Sequence, residues 1–288
     1  MRYSGFRIIK EALTGHKGWG HAWRDPEPQA SYDYIIIGGG GHGLATAYYL
    51  AKEFKQARIA VLEKGYLGGG NVGRNTTIIR SNYLLDGNEP FYEFSMKLWE
   101  GLEQDFNYNA MVSQRGIINL IHTDAARDAA TRRGNAMIMN GADAELLNRD
   151  QVRAMYPFLN FDNARFPIKG ALMQRRGGTV RHDAVAWGYA RGADSHGVDL
   201  IQNCEVTGMR IENGKILGVE TSRGFIGAKK VGVAVAGSSS KVMAHAGMRL
   251  PMESHVLQAF VSEGLKPLID GVMTFGAGHF YVSQSDKG

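Results

Sequence analysis

Residues 34–43 read Tyr-Ile-Ile-Ile-Gly-Gly-Gly-Gly-His-Gly. An apolar run stops at Gly38-x-Gly40-x-x-Gly43, and a helical pattern fills 44–54. A second apolar run, Ile59-Ala60-Val61-Leu62, then ends in Glu63. Strand, glycine turn, helix, strand and acid, in that order, make a dinucleotide-binding βαβ unit. Gly38 allows the tight turn, Gly40 lets the backbone approach a pyrophosphate, and Gly43 lets helix and strand pack closely. Gly41 and His42 open the helix, whose unpaired N–H groups and positive dipole end suit phosphates. Glu63 stands where an acid accepts hydrogen bonds from an adenosine ribose.

The remaining chain is organised around that unit. A glycine-rich loop at 65–73 leads into Arg74-Asn75-Thr76-Thr77-Ile78-Ile79-Arg80-Ser81. Helical spacing follows at 89–105, a strand at 116–121, and helices at 123–140 and 148–156, the last stopped by Pro157. A second glycine break, Gly177-Gly178, precedes a helix at 183–193, and Val198-Asp199-Leu200-Ile201 reads as a strand. A hairpin around Asn213-Gly214 and an apolar strand at 230–235 come next. This pattern predicts an α/β fold with a Rossmann-like dinucleotide-binding domain in two parts, 31–111 and 171–245. A mainly antiparallel sheet with helices is inserted as a substrate domain, 112–170 and 246–288, and residues 1–30 form an N-terminal arm. The alternating strand at 279–284 runs into turn residues at 285–288 with no returning strand, which reads as a chain cut short.

Composition excludes several classes. The 288 residues carry 44% hydrophobic and 21% charged residues, the proportions of an ordinary globular chain. Cys204 is the single cysteine, which excludes a disulfide framework and a cysteine-based zinc site and fits a reducing compartment such as the cytoplasm. No run reaches the ~18 apolar residues of a membrane span. The net charge of +5 is spread out, and Arg132-Arg133 and Arg175-Arg176 lack the interleaved aromatics of a nucleic-acid groove. They read as solvated surface or subunit contacts. No metal is expected, and neither a nucleic acid nor a membrane is expected as a partner.

Three blocks carry a resemblance. They are residues 38–50, the stretch Asn71-Val72-Gly73-Arg74-Asn75-Thr76-Thr77-Ile78-Ile79-Arg80-Ser81-Asn82-Tyr83, and Arg181-His182-Asp183-Ala184-Val185-Ala186-Trp187. Together they resemble the beta subunits of heterotetrameric sarcosine oxidases, in the glycine oxidase and D-amino-acid oxidase superfamily. The resemblance implies non-covalent FAD on the glycine turn and FMN joined covalently to His182 at the interface with an alpha subunit. It implies that Arg80 holds the substrate carboxylate. Asn71, Val72, Arg74, Thr76, Ile78 and Ser81 would line the flavin, Val206 would contact adenine through its backbone, and His279 would lie near FMN. It further implies oxidative demethylation of sarcosine, with oxygen reduced to hydrogen peroxide. The one-carbon unit would pass to tetrahydrofolate on the alpha subunit, with gamma and delta subunits completing the assembly. Other readings stand beside these: His182 can simply begin a helix, Arg80 can close its loop by a salt bridge, and His279 can be structural. Another flavin amine or amino-acid oxidase, or a non-catalytic cofactor-binding fragment, is the alternative for the whole chain.

Overall fold

The computed structural model describes residues 4–83 and 87–284. In chain order the elements are helix α1 (Gly5–Leu13), strand β1 (Ser31–Ile37), α2 (Gly41–Glu53), β2 (Ile59–Leu62), β3 (Ile78–Ile79) and α3 (Asn88–Phe106). Then follow β4 (Ile117–Ile121), α4 (Asp124–Met139), β5 (Glu145–Asn148), α5 (Arg149–Met155), β6 (Gly170–Gln174), β7 (Gly178–Thr179) and α6 (His182–Ser195). The chain closes with β8 (Asp199–Ile201), β9 (Val206–Glu212), β10 (Lys215–Thr221), β11 (Gly224–Val233), α7 (Ser239–Ala244), β12 (Val272–Phe275) and β13 (Phe280–Val282). The turn expected at 285–288 lies outside the described residues.

The chain divides into two compact units, residues 1–70 with 189–254 and residues 71–188 with 255–288. The first is built on a six-stranded sheet in the order β8-β2-β1-β11-β10-β9. Strands β8, β2, β1 and β11 are parallel neighbours, as a doubly wound sheet requires. Strand β11 serves twice: its first residues pair antiparallel with β10, and Gly227 to Val233 pair parallel with β1. The expected hairpin and the expected strand at 230–235 are therefore one continuous three-stranded ribbon. All four residues of β2 are buried, and Tyr32, Ile35, Ile37, Leu62, Ile201, Val219 and Ile226 share one core. The N-terminal arm is ordered against this unit. Arg24 pairs with Asp194 at 2.7 Å and donates to the Val198 carbonyl.

The second unit holds a five-stranded sheet, β13-β12-β4-β6-β5, with β4 antiparallel to β6 and parallel to β12. Ile118, Leu147, Val152, Tyr156, Ala171, Met173 and Met273 form its core. The expected boundaries shift here, because residues 71–111 and 171–188 also belong to this unit. The reason is a set of tertiary bonds. Strand β3 pairs with β7, the Arg181 N–H donates to the Ala110 carbonyl, and the Arg176 guanidinium binds Glu93 and Glu100 of α3. Arg176 is thus tied to acids of its own chain, while Arg175 is exposed and pairs with Glu145. The Glu100 carboxylate holds Arg176 well above the ordinary arginine range, with Glu93 adding to it.

Packing around the glycine turn is tight enough to test. A Cβ on Gly43 would lie 1.9 Å from the Gly38 carbonyl oxygen, whereas a Cβ on Gly101, within α3, would meet nothing within 4 Å. Gly43→Ala should therefore destabilise the fold by about 1–3 kcal/mol through forced displacement of α2. Gly101→Ala should stabilise it by about 0.5–1 kcal/mol through lost unfolded-state entropy. Thermal unfolding of both variants checks this; equal midpoints would show that α2 sits less closely on β1 than described.

Candidate flavin-binding and carboxylate-binding sites

In the first unit the chain turns at Gly38, where φ is +110°, and a Cβ there would come within 2.4 Å of the Ala234 carbonyl oxygen. Gly40 is the opposite case: it caps α2, and a Cβ on it would meet nothing within 4 Å. Open space at Gly40 is what a pyrophosphate approaching the backbone needs. No side chain caps α2, and its first turn, with Gly41, His42 and Gly43, contains no acid. Its N-terminal donors and dipole therefore remain available to an anion.

Glu63 is more occupied than its sequence position suggests. One carboxylate oxygen accepts from the Gly39 N–H at 2.8 Å and the other from the Gly65 N–H at 2.9 Å. The acid thus staples the glycine turn to the loop after β2, and each oxygen keeps one further lone pair for a ribose hydroxyl. Val206 opens β9, with its side chain in the sheet core beside the buried Cys204. Its backbone alone is left for an outside contact. These residues fit an adenine dinucleotide.

In the second unit, Asn71 precedes a single 3-10 turn over Val72–Arg74, and the Asn75 side chain accepts from the Thr77 N–H at 2.6 Å. Thr77 has φ +70°, an unusual conformation for a β-branched residue that costs about 1–3 kcal/mol. It is held there by β3, where Ile78 pairs with Thr179, and by the Val180 N–H donating to its carbonyl. Thr76 accepts from the Tyr281 hydroxyl at 2.5 Å.

Arg80 forms no ion pair among the described residues. Its guanidinium lies 4.7 Å over the Tyr83 ring, which itself stacks on Tyr92 at 3.8 Å. Ser81 is corrected as a flavin-lining residue. It is fully buried, its N–H donates to the Gln174 side chain at 3.0 Å, and its hydroxyl accepts from Gln174 at 2.6 Å while donating to Glu93. Those bonds consume its polar groups inside the unit. Sequence reading missed Gln174 and Glu93 because a buried polar network has no periodic signature.

His182 does begin α6, and it also has an unspent nitrogen. Nε2 lies 3.1 Å from the Gly73 carbonyl, while Nδ1 is buried and without a partner. The carbonyl can only accept, so the proton sits on Nε2 and the lone pair on Nδ1. Asp183 does not orient this ring: Arg181 grips its carboxylate at 2.6 and 2.9 Å and holds it below the usual aspartate range. The orphaned Nδ1 fits a group attached from outside. His279 sits exposed at the turn before β13 with φ +51°, and no contact joins it to His182 among the described residues.

Comparison with known proteins decides the family. Residues 33–288 match the DAO family, described as FAD dependent oxidoreductase. The chain belongs to this family of FAD-dependent oxidoreductases. It is 75% identical over 288 residues to "Sarcosine oxidase subunit beta" of Rhizobium meliloti, covering all of this chain and 69% of that one. The Rhodobacter capsulatus protein of the same description is 51% identical over 287 residues, with the same coverage. Among solved structures, L-proline dehydrogenase from P. horikoshii superposes with a TM-score of 0.79 over 91% of this chain and 69% of that one, at 23% identity. Glycine oxidase from Geobacillus kaustophilus gives 0.68 over 77% and 60%, at 24% identity. Both show the fold. Among the described residues, no helix is long and apolar enough to cross a membrane.

Gly40→Val should abolish flavin retention on purification, since its side chain would fill the open space at the turn without striking protein atoms. Unfolding should be little changed. Glu63→Gln should both weaken flavin retention and speed hydrogen exchange at Gly39 and Gly65, because the amide nitrogen cannot accept from an N–H. Full flavin content in Gly40→Val would remove the cofactor from this turn.

Proposed function

We propose that this chain is the flavin-bearing subunit of a sarcosine-oxidising enzyme that demethylates sarcosine to glycine. The observation that carries the reading is the 75% identity to a sarcosine oxidase beta subunit, sustained over all 288 residues. FAD held non-covalently at the glycine turn would supply the hydride acceptor, and FMN on His182 a route for electrons to oxygen, which leaves as hydrogen peroxide.

The chain's own residues supply position and charge. Sarcosine carries a carboxylate and a secondary amine, and Arg80, which pairs with no acid among the described residues and lies 4.7 Å over Tyr83, presents a fork that matches a carboxylate. The amine must be neutral to release hydride, because an ammonium has no lone pair to stabilise the developing iminium. A cationic carboxylate clamp favours that neutral form over the ammonium by like-charge repulsion. His182 contributes Nδ1 as the nucleophilic atom, with its tautomer set by the Gly73 carbonyl. Asn71, Val72, Arg74, Thr76 and Ile78 would line the flavin, and His279 would lie near FMN. The beta-subunit likeness supports an assembly with alpha, gamma and delta subunits, the one-carbon product passing to tetrahydrofolate on the alpha subunit. The lone, buried Cys204 suits the reducing cytoplasm.

Two measurements on the enzyme assembled with its partner subunits test this. Arg80→Lys should raise the apparent KM for sarcosine at least about tenfold, since a point charge replaces a bidentate fork, with a much smaller effect on an uncharged amine. Equal losses on both substrates would make Arg80 structural. A tryptic peptide containing His182 should be heavier by one FMN less two hydrogens, and His182→Asn should lose that mass while retaining FAD. An unmodified His182 peptide from active enzyme would end the covalent-FMN reading.

A further inference from the structure

Arg133, on α4, was expected at the solvated surface or in a subunit contact, and within this chain it is half buried. Among the described residues it meets no carboxylate. Burial lowers its pKa from the ordinary arginine range, and the positive charge of Arg80 lowers it further. One Arg133 Nη donates to the Asn82 carbonyl, two residues beyond Arg80, and its Nε is buried without a partner. Asn82 is 1% exposed, and both atoms of its side-chain amide are also unpartnered. Arg133 thus binds the backbone of the segment that carries Arg80, and three buried polar atoms of Arg133 and Asn82 have no partner. Each buried, unsatisfied polar group is destabilising, and the like charge of the two guanidinium groups adds to that.

An anion would relieve all of this together. A carboxylate offers about four lone pairs to the guanidinium forks and to Asn82 Nδ2, and its charge offsets the pair of cations. Asn82 Oδ1, an acceptor, suits an N–H on the same ligand. The alternative, a structural anion-free cluster, would leave these costs uncompensated. The Arg80 guanidinium lies 4.7 Å over Tyr83, which stacks on Tyr92, and this contact restrains one of the two cations.

We propose that Arg80, Arg133 and Asn82 form a single carboxylate-binding site, in which Arg133 and Asn82 determine specificity for a ligand bearing a carboxylate beside an N–H. The identification of that ligand with the amino-acid substrate rests on the proposed function; the site itself does not.

Thermal unfolding with acetate, and with acetamide as the uncharged isostere, tests the site without any turnover. The wild-type midpoint should rise with acetate and not with acetamide. Arg133→Gln should raise the acetate-free midpoint, because one of two unpaired charges is gone, and should lose the acetate response. Arg133→Lys, which keeps charge but not the fork, should retain part of that response. An acetate response identical in wild type and Arg133→Gln would overturn the proposal. In the assembled enzyme, Arg133→Gln should raise the apparent KM for sarcosine about tenfold or more. Loss of the acetate response in a protein that does not oxidise sarcosine would uphold the site and reject the substrate. Sarcosine oxidation with an unchanged KM in Arg133→Gln would uphold the reaction and reject this site as the place where the sarcosine carboxylate binds.

Discussion

The first unit depends on how closely α2 approaches the end of β1. Gly43 lies so near the Gly38 carbonyl that no side chain could stand between them, and Gly38 itself is pressed against the Ala234 carbonyl. This contact aims the N-terminal donors of α2 at the space beside Gly40, where a phosphate can approach without meeting a side chain. Glu63 adds a second constraint, since its two oxygens hold Gly39 and Gly65 and so fix the turn against the loop that follows β2. The acid at 63 can thus serve the turn's shape as well as a ribose.

The second unit is ordered by a different device, a chain of charge-assisted hydrogen bonds. Arg176 binds Glu93 and Glu100; Glu93 accepts from Ser81; Ser81 is gripped by Gln174, which also donates to Asp143. Such a network is stable only when every member is satisfied, and here the members span β6, α3 and the segment carrying Arg80. The contrast with Arg133 and Asn82 is informative. The same unit satisfies Ser81, Glu93 and Gln174 fully, yet leaves the Asn82 amide and the Arg133 Nε without partners.

Much of this was legible in the residues. The βαβ unit was readable because its parts are local: β2 lies at 59–62 as expected, and α2 and α6 begin within three residues of their expected starts. The helices at 89–105, 123–140 and 148–156 were equally clear, because hydrophobic spacing survives in any tertiary setting. His182 at the head of its helix could be located, though not the tautomer that frees Nδ1.

The sequence by itself determined the cofactor fold, since glycine spacing, alternation of apolar runs and the acid at 63 depend only on near neighbours. Tertiary structure decided the rest. Ser81 looked like a lining residue and Arg133 like solvated surface because linear spacing does not say which side chains meet across more than ninety or fifty residues. The unit boundaries moved for the same reason: β3 and α3 follow the nucleotide-binding segment in the chain but are bonded to β7 and Arg176. Burial and hydrogen-bond satisfaction are properties of assembled neighbours, and only the folded chain supplies them.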